Sequence, residues 1–115
     1  MFLTELDVRV LESGTDFLLL SQFVFNSSTL DFDDIIVPSG FVTDFTSGNI
    51  LSHIFVPRTG KYTKASVIHD FMLKSPKYSK CQADIVFHEA LLLLEVNRFK
   101  ARGMFLGVKY GNSEI

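Results

Sequence analysis

Residues 5 to 10 alternate in character, with Leu6, Val8 and Val10 on one side and Glu5, Asp7 and Arg9 on the other, the period-two pattern of a half-buried strand. Ser13-Gly14-Thr15-Asp16 breaks that pattern, and Phe17 to Phe25 follows as an almost continuous apolar run, suited to burial on both faces and joined to the first strand by a hairpin. A second polar break, Asn26-Ser27-Ser28-Thr29, leads into Leu30 to Val37, where Ile35-Ile36-Val37 is strand-like and Pro38-Ser39-Gly40 stops it. About three antiparallel strands are therefore expected. From Phe41 to Gly60 neither period holds, although Asn49 to Phe55 is compatible with a short helix ended by Pro57. The period then turns helical. Ala65, Ile68 and Met72, with Phe71 beside them, form one stripe; Thr63 is the candidate N-cap and Pro76 ends the element. Ser79-Lys80-Cys81-Gln82 has the form of a capping box, and Ala83, Phe87, Ala90, Leu91 and Leu94 carry that helix to about Val96. A third helix is expected over Arg98 to Tyr110, in which Gly103 and Gly107 each cost about 1 kcal/mol against Ala. They predict close approach of another element or an early break.

The result is an α+β chain read as a single domain over 1–115, with a β-rich part at 1–40, an irregular connection at 41–60 and a helical part at 61–111. At 115 residues and 47% hydrophobic, it is long enough for one core and too short for two ordinary domains. Twelve Phe and no Trp predict a Phe-heavy interior. A net charge of −2 gives no global field for tight nonspecific binding to nucleic acid. The lone Cys81 forms no intramolecular disulfide, and no leader-like segment is visible, so a reducing cytoplasm is the expected setting. The apolar run Ala90 to Leu94 falls far short of the roughly 20 residues of a transmembrane helix, which predicts a soluble protein. The run Phe17 to Phe25 suits either an internal core or a sheet-mediated homo-oligomer.

With Ser75 to Ser79 as the hinge of a helical hairpin, His69 and Asp84 lie at similar depths along the two helices. A rise of about 1.5 Å per residue sets each some 8 to 9 Å from the hairpin end, level enough for an imidazole–carboxylate hydrogen bond. A carboxylate on one ring nitrogen fixes the tautomer and leaves the other nitrogen as a base. Such a pair serves more often as a polar anchor than as a catalyst. Asp70 points about 100° around the helix from His69, which leaves it to hold a cation or cap a loop. Asp44, in Gly40-Phe41-Val42-Thr43-Asp44-Phe45-Thr46-Ser47, sits in the irregular connection, where binding residues gather and where Asx turns also form. Asp31, Asp33 and Asp34 are read as solvated. Asp84 and His88 share a helix face, but even with His53 they lack the second ligand pair of a strong zinc motif. Lys74, Lys77 and Lys80 read as a solvated loop. Arg98, Lys100, Arg102 and Lys109 spread over more than one face of the last helix, a weak basis for nucleic-acid binding.

Three segments together, Val37-Pro38-Ser39-Gly40-Phe41-Val42-Thr43-Asp44-Phe45-Thr46-Ser47, Ala65-Ser66-Val67-Ile68-His69-Asp70-Phe71 and Ala83-Asp84-Ile85-Val86-Phe87-His88-Glu89-Ala90-Leu91, resemble a phage and prophage family known as domain of unknown function 1353. The likeness covers about residues 35 to 110 and includes a terminal glycine, here Gly111. Pro57-Arg58 follows the Thr-Asp-x-x-Ser segment only after an apparent insertion. The resemblance implies phage origin, with residence in the host cytoplasm or association with the virion, and no settled activity. At the level of the site the chain is similar to phospholipase A2, which carries His-Asp on one helix and a second Asp on an antiparallel neighbour. That likeness implies His69 as the base, Asp84 as the acid that orients it and Asp70 as a calcium ligand, with the Asp44 loop facing the metal. It lacks the flanking disulfides and the Tyr-x-Gly-x-Gly calcium loop. The metal-dependent His-Asp phosphohydrolases would use His53, His69, Asp70 and Asp84, on longer spacings in an all-helical fold.

Two functions are expected from these observations. One is a metal-assisted ester hydrolase built on His69 and Asp84. The other is a noncatalytic phage protein, a virion or tail component or an accessory protein that contacts a host protein, in which the same residues are structural.

Overall fold

A computed structural model of the chain describes residues 1–12, 16–29, 33–43 and 62–111. Five short strands, β1 (Val8–Val10), β2 (Phe17–Leu19), β3 (Phe23–Phe25), β4 (Ile35–Val37) and β5 (Val42–Thr43), precede three helices, α1 (Thr63–Lys74), α2 (Lys80–Leu93) and α3 (Arg98–Gly111). The expected α+β order is present, but the strands divide between two antiparallel sheets, one ordered β1-β2-β5 and the other β3-β4. The apolar run from Phe17 to Phe25 is two strands, one in each sheet. In a straight strand Ser21 would share a face with Phe17, Leu19, Phe23 and Phe25, all of them buried. The chain bends there instead, and the Ser21 hydroxyl donates to Asp7 at 3.2 Å in solvent.

A further strand, β5, emerges from the stretch read as irregular. Gly40 precedes it at φ +92°, a backbone region open to glycine, in a turn closed by the bond from Phe41 N–H to the Pro38 carbonyl. At the opposite edge of the sheet β1 is less covered than its alternation predicts, with Val10 60% exposed. An edge strand has a neighbour on one side only. Asn49 to Phe55 lies outside the described residues.

α1 touches β4, β5 and α2, so its burial exceeds a single stripe: Val67 is enclosed along with Ala65, Ile68 and Met72. Phe23, Phe25 and Phe87 are the largest fully buried side chains, and Phe2 packs against the first two with ring centroids 5.9 and 4.8 Å apart. Phe17, Leu19, Phe23, Phe25, Ile35 and Val37 of the strands thus lie in this chain's own core. Thr63 is the first helical residue of α1; Tyr62 occupies the N-cap position with no side-chain hydrogen bond. α2 starts as expected, with both bonds of the Ser79–Gln82 capping box present. It ends in a Schellman arrangement, Val96 N–H to the Leu91 carbonyl and Glu95 N–H to the Leu92 carbonyl, with Glu95 at φ +62°. Asn97 caps α3 through bonds from the Phe99 and Lys100 N–H groups to its Oδ1. α3 then runs unbroken through Gly103 and Gly107.

These caps predict substitutions of opposite sign. Ser79→Ala costs about 1 kcal/mol by removing the cap, whereas Glu95→Gly adds up to about 1 kcal/mol by relieving the left-handed residue. Urea unfolding midpoints check both.

Candidate functional site

His69 stands on α1 and Asp84 on α2, and the antiparallel pairing of these helices brings them together as the hinge register predicts. His69 Nε2 lies 2.7 Å from Asp84 Oδ1. Both residues are 3% exposed. In the neutral ring Nε2–H donates to the carboxylate, and Nδ1 is left with its lone pair. Phe87, one turn beyond Asp84, packs its ring on the imidazole at a centroid distance of 4.8 Å. The imidazole is thereby held in plane by a carboxylate at its edge and an aromatic ring at its face.

The second Asp84 oxygen has its own partner. Lys80, one turn earlier on α2, places Nζ 2.7 Å from Oδ2 and also donates to the Val108 carbonyl at 2.8 Å and the Lys109 carbonyl at 3.2 Å, near the end of α3. One buried carboxylate therefore ties α1, α2 and α3 together. Burial pushes the Asp84 carboxyl up, but the hydrogen bonds from His69 and Lys80, together with the Lys80 charge, outweigh it and hold the group below its ordinary value. Reading Lys74, Lys77 and Lys80 as one solvated loop is corrected here: Lys74 ends α1, Lys80 opens α2, and of the three only Lys77 lies in the turn. Lys-to-Asp spacings of four at 70/74 and 80/84 were the available signal.

Asp70 faces away from the dyad. Its Oδ2 accepts from Lys74 Nζ at 3.1 Å, while Oδ1 is buried without a partner. The Thr63 and Ser66 hydroxyl oxygens are also buried and unpartnered. At offsets of three and seven residues these three groups share one face of α1. They are oxygen donors of the class that a hard cation takes, but calcium needs six to eight oxygens and usually several carboxylates. The described residues supply one such carboxylate, itself held by Lys74, and no group of three His, Cys, Asp or Glu side chains gathers among them. Asp44, His53 and Asp31 lie outside the described residues. Asp34 Oδ1 accepts a bond from Asn26 at 2.9 Å. The His88 ring packs on Phe105 with centroids 5.1 Å apart, and burial followed by the charge of Arg102 lowers its affinity for a proton.

Residues 17–108 match the model of a family described as a protein of unknown function, DUF1353. This chain belongs to that family. The match reaches further towards the N-terminus than the motifs of the loop and helices, so the DUF1353 unit takes in β2, β3, β4 and β5 with α1, α2 and most of α3. No curated protein and no solved structure matches the chain. Among the described residues of this DUF1353 chain, no helix is long and apolar enough to cross a membrane.

One half-buried carboxylate escaped the sequence reading. Glu89 Oε1 accepts from the Ser27 hydroxyl at 2.7 Å, and Oε2 accepts from the Ser28 N–H at 2.8 Å and the Ser28 hydroxyl at 3.0 Å. Burial works to raise its proton affinity, and these hydrogen bonds from residues 27–29 overcome it and lower it. The partners are about sixty residues apart, and no local pattern links them.

Because Asp84 is charged more readily in the fold than in the unfolded chain, it stabilises the protein above the ordinary carboxylate pKa of about 4 and loses that contribution as the pH falls through its lowered native value. Asp84→Asn should cost about 3 kcal/mol near neutrality, since it strands the Lys80 charge. That gap should narrow as the pH falls below the ordinary carboxylate value of about 4. Urea titrations across the range check it; a gap independent of pH contradicts it.

Proposed function

We propose that the chain is a small hydrolase acting on an ester, with His69 as the base and Asp84 as the group that orients it. The observation that carries this reading is the 2.7 Å bond from Nε2–H to a buried, ionised carboxylate. It supports a fixed tautomer in which Nδ1 is available to take a proton from an attacking water. Bond formation between that water and the ester carbonyl would expel the alcohol, which leaves with the proton carried by the imidazole. With His69 3% exposed, the reading requires local opening to admit water and the carbonyl. Asp70, through its unpartnered Oδ1, is the described residue best placed to contribute to a calcium site, with Asp44 as the proposed second ligand. Bound calcium would polarise the ester carbonyl.

A second reading rests on a different observation, the three bonds of Lys80 that join Asp84 to the end of α3. Here the dyad is an anchor in a noncatalytic phage protein, virion- or tail-associated or bound to a host protein, and the site turns over nothing. Virion association or residence in the host cytoplasm follows from phage origin, which is part of the proposal.

Two variants separate the readings. His69→Gln retains an N–H donor for Asp84 but has no base, so a hydrolase should keep its melting temperature within a few degrees and lose about 10²- to 10⁴-fold in rate on p-nitrophenyl esters with millimolar calcium. His69→Leu removes the bond and should destabilise the fold under either reading. Absence of esterase activity in the wild-type protein, with His69→Leu unfolding it, would leave the anchor reading in possession.

A further inference from the structure

α3 has two apolar faces. Ala101, Met104 and Val108 enter the core, while Phe99, Leu106 and Tyr110 point away from it, with Phe99 88% and Tyr110 68% exposed. Offsets of seven and eleven residues place the outward three within about 40° of one another around the helix. They make one spaced row along the helix rather than scattered surface side chains. Gly103 lies beside this row, and a Cβ built there meets nothing within 4 Å. Nothing among the described residues therefore approaches closely enough to require the glycine, although it weakens the helix that contains it.

Charge narrows what can cover the row. Residues 98–111 carry Arg98, Lys100, Arg102 and Lys109 and no acidic residue. Arg98, Arg102 and Lys109 fall along one flank of the row by helical angle, and Lys109 Nζ sits 5.5 Å from the centre of the Tyr110 ring. We propose that this face of α3 docks an α-helix of a partner protein that bears an apolar stripe beside acidic residues. A second copy would set cations against cations. A lipid surface would gain from side-chain bulk where Gly103 has none, whereas a partner helix gains from the close backbone approach that glycine allows. Phe99, Leu106 and Tyr110 then act as spaced anchors of a helix-on-helix contact. This contact is independent of ester hydrolysis and stands or falls separately from it.

The test is titration of two synthetic helical peptides into the ¹⁵N-labelled full chain, both with the same leucine stripe, one flanked by Glu and the other by Lys. The proposal expects amide shifts confined to residues 98–110 with the Glu peptide, and affinity reduced at least about tenfold by Phe99→Ser and by Gly103→Leu. Gly103→Leu should also raise the melting temperature of the free protein, so its weaker binding would not come from unfolding. Absence of shifts, equal binding of the Lys peptide, preference for phosphatidylglycerol vesicles over the Glu peptide, or a dimerisation that Phe99→Ser abolishes would each overturn it.

Discussion

The assembly of the helical half depends on keeping one buried carboxylate charged. An isolated ionised Asp at the Asp84 position would be strongly disfavoured, and the fold meets that requirement from two directions, with the His69 N–H on one oxygen and the Lys80 ammonium on the other. Each partner adds a second constraint. His69 fixes the register of α1 against α2, and Lys80 satisfies carbonyls near the end of α3, where the helix dipole also favours a cation. Loss of the carboxylate would therefore loosen three helices at once.

α2 carries a second anchor of the same kind five residues later. Glu89 points about 140° around the helix from Asp84 and receives the chain between β3 and β4 through Ser27 and Ser28. One carboxylate thus faces the helices and the other the strands, with the apolar body of α2, Ala83, Val86, Phe87, Ala90 and Leu91, buried between them. α1 then closes the core by packing on β4 and β5.

Much of this was legible in the chain. The capping box at Ser79, the presence of three helices and the meeting of His69 with Asp84 follow from short-range pattern and hinge counting, because helical rise and capping chemistry are local. What was not legible depends on partners distant in sequence. The split of Phe17 to Phe25 between two sheets turns on Ser21 avoiding the core. The Glu89 anchor needs a loop some sixty residues away. Lys80 looked solvated because its α3 carbonyl partners lie nearly thirty residues on. Thr63 resembled a cap, yet α1 starts at it. The glycines of α3 were expected to admit a neighbour or break the helix, and Gly103 does neither within the described chain.

Membership of the DUF1353 family establishes kinship and leaves chemistry to the site itself. Both readings of that site, base or anchor, require Asp84 to hold His69 as the Nε2–H tautomer. Imidazole ¹⁵N chemical shifts of the full chain at mildly alkaline pH test this directly. The account predicts a protonated Nε2 with slow proton exchange and an unprotonated Nδ1. A protonated Nδ1, or a ring averaging between tautomers, would contradict it.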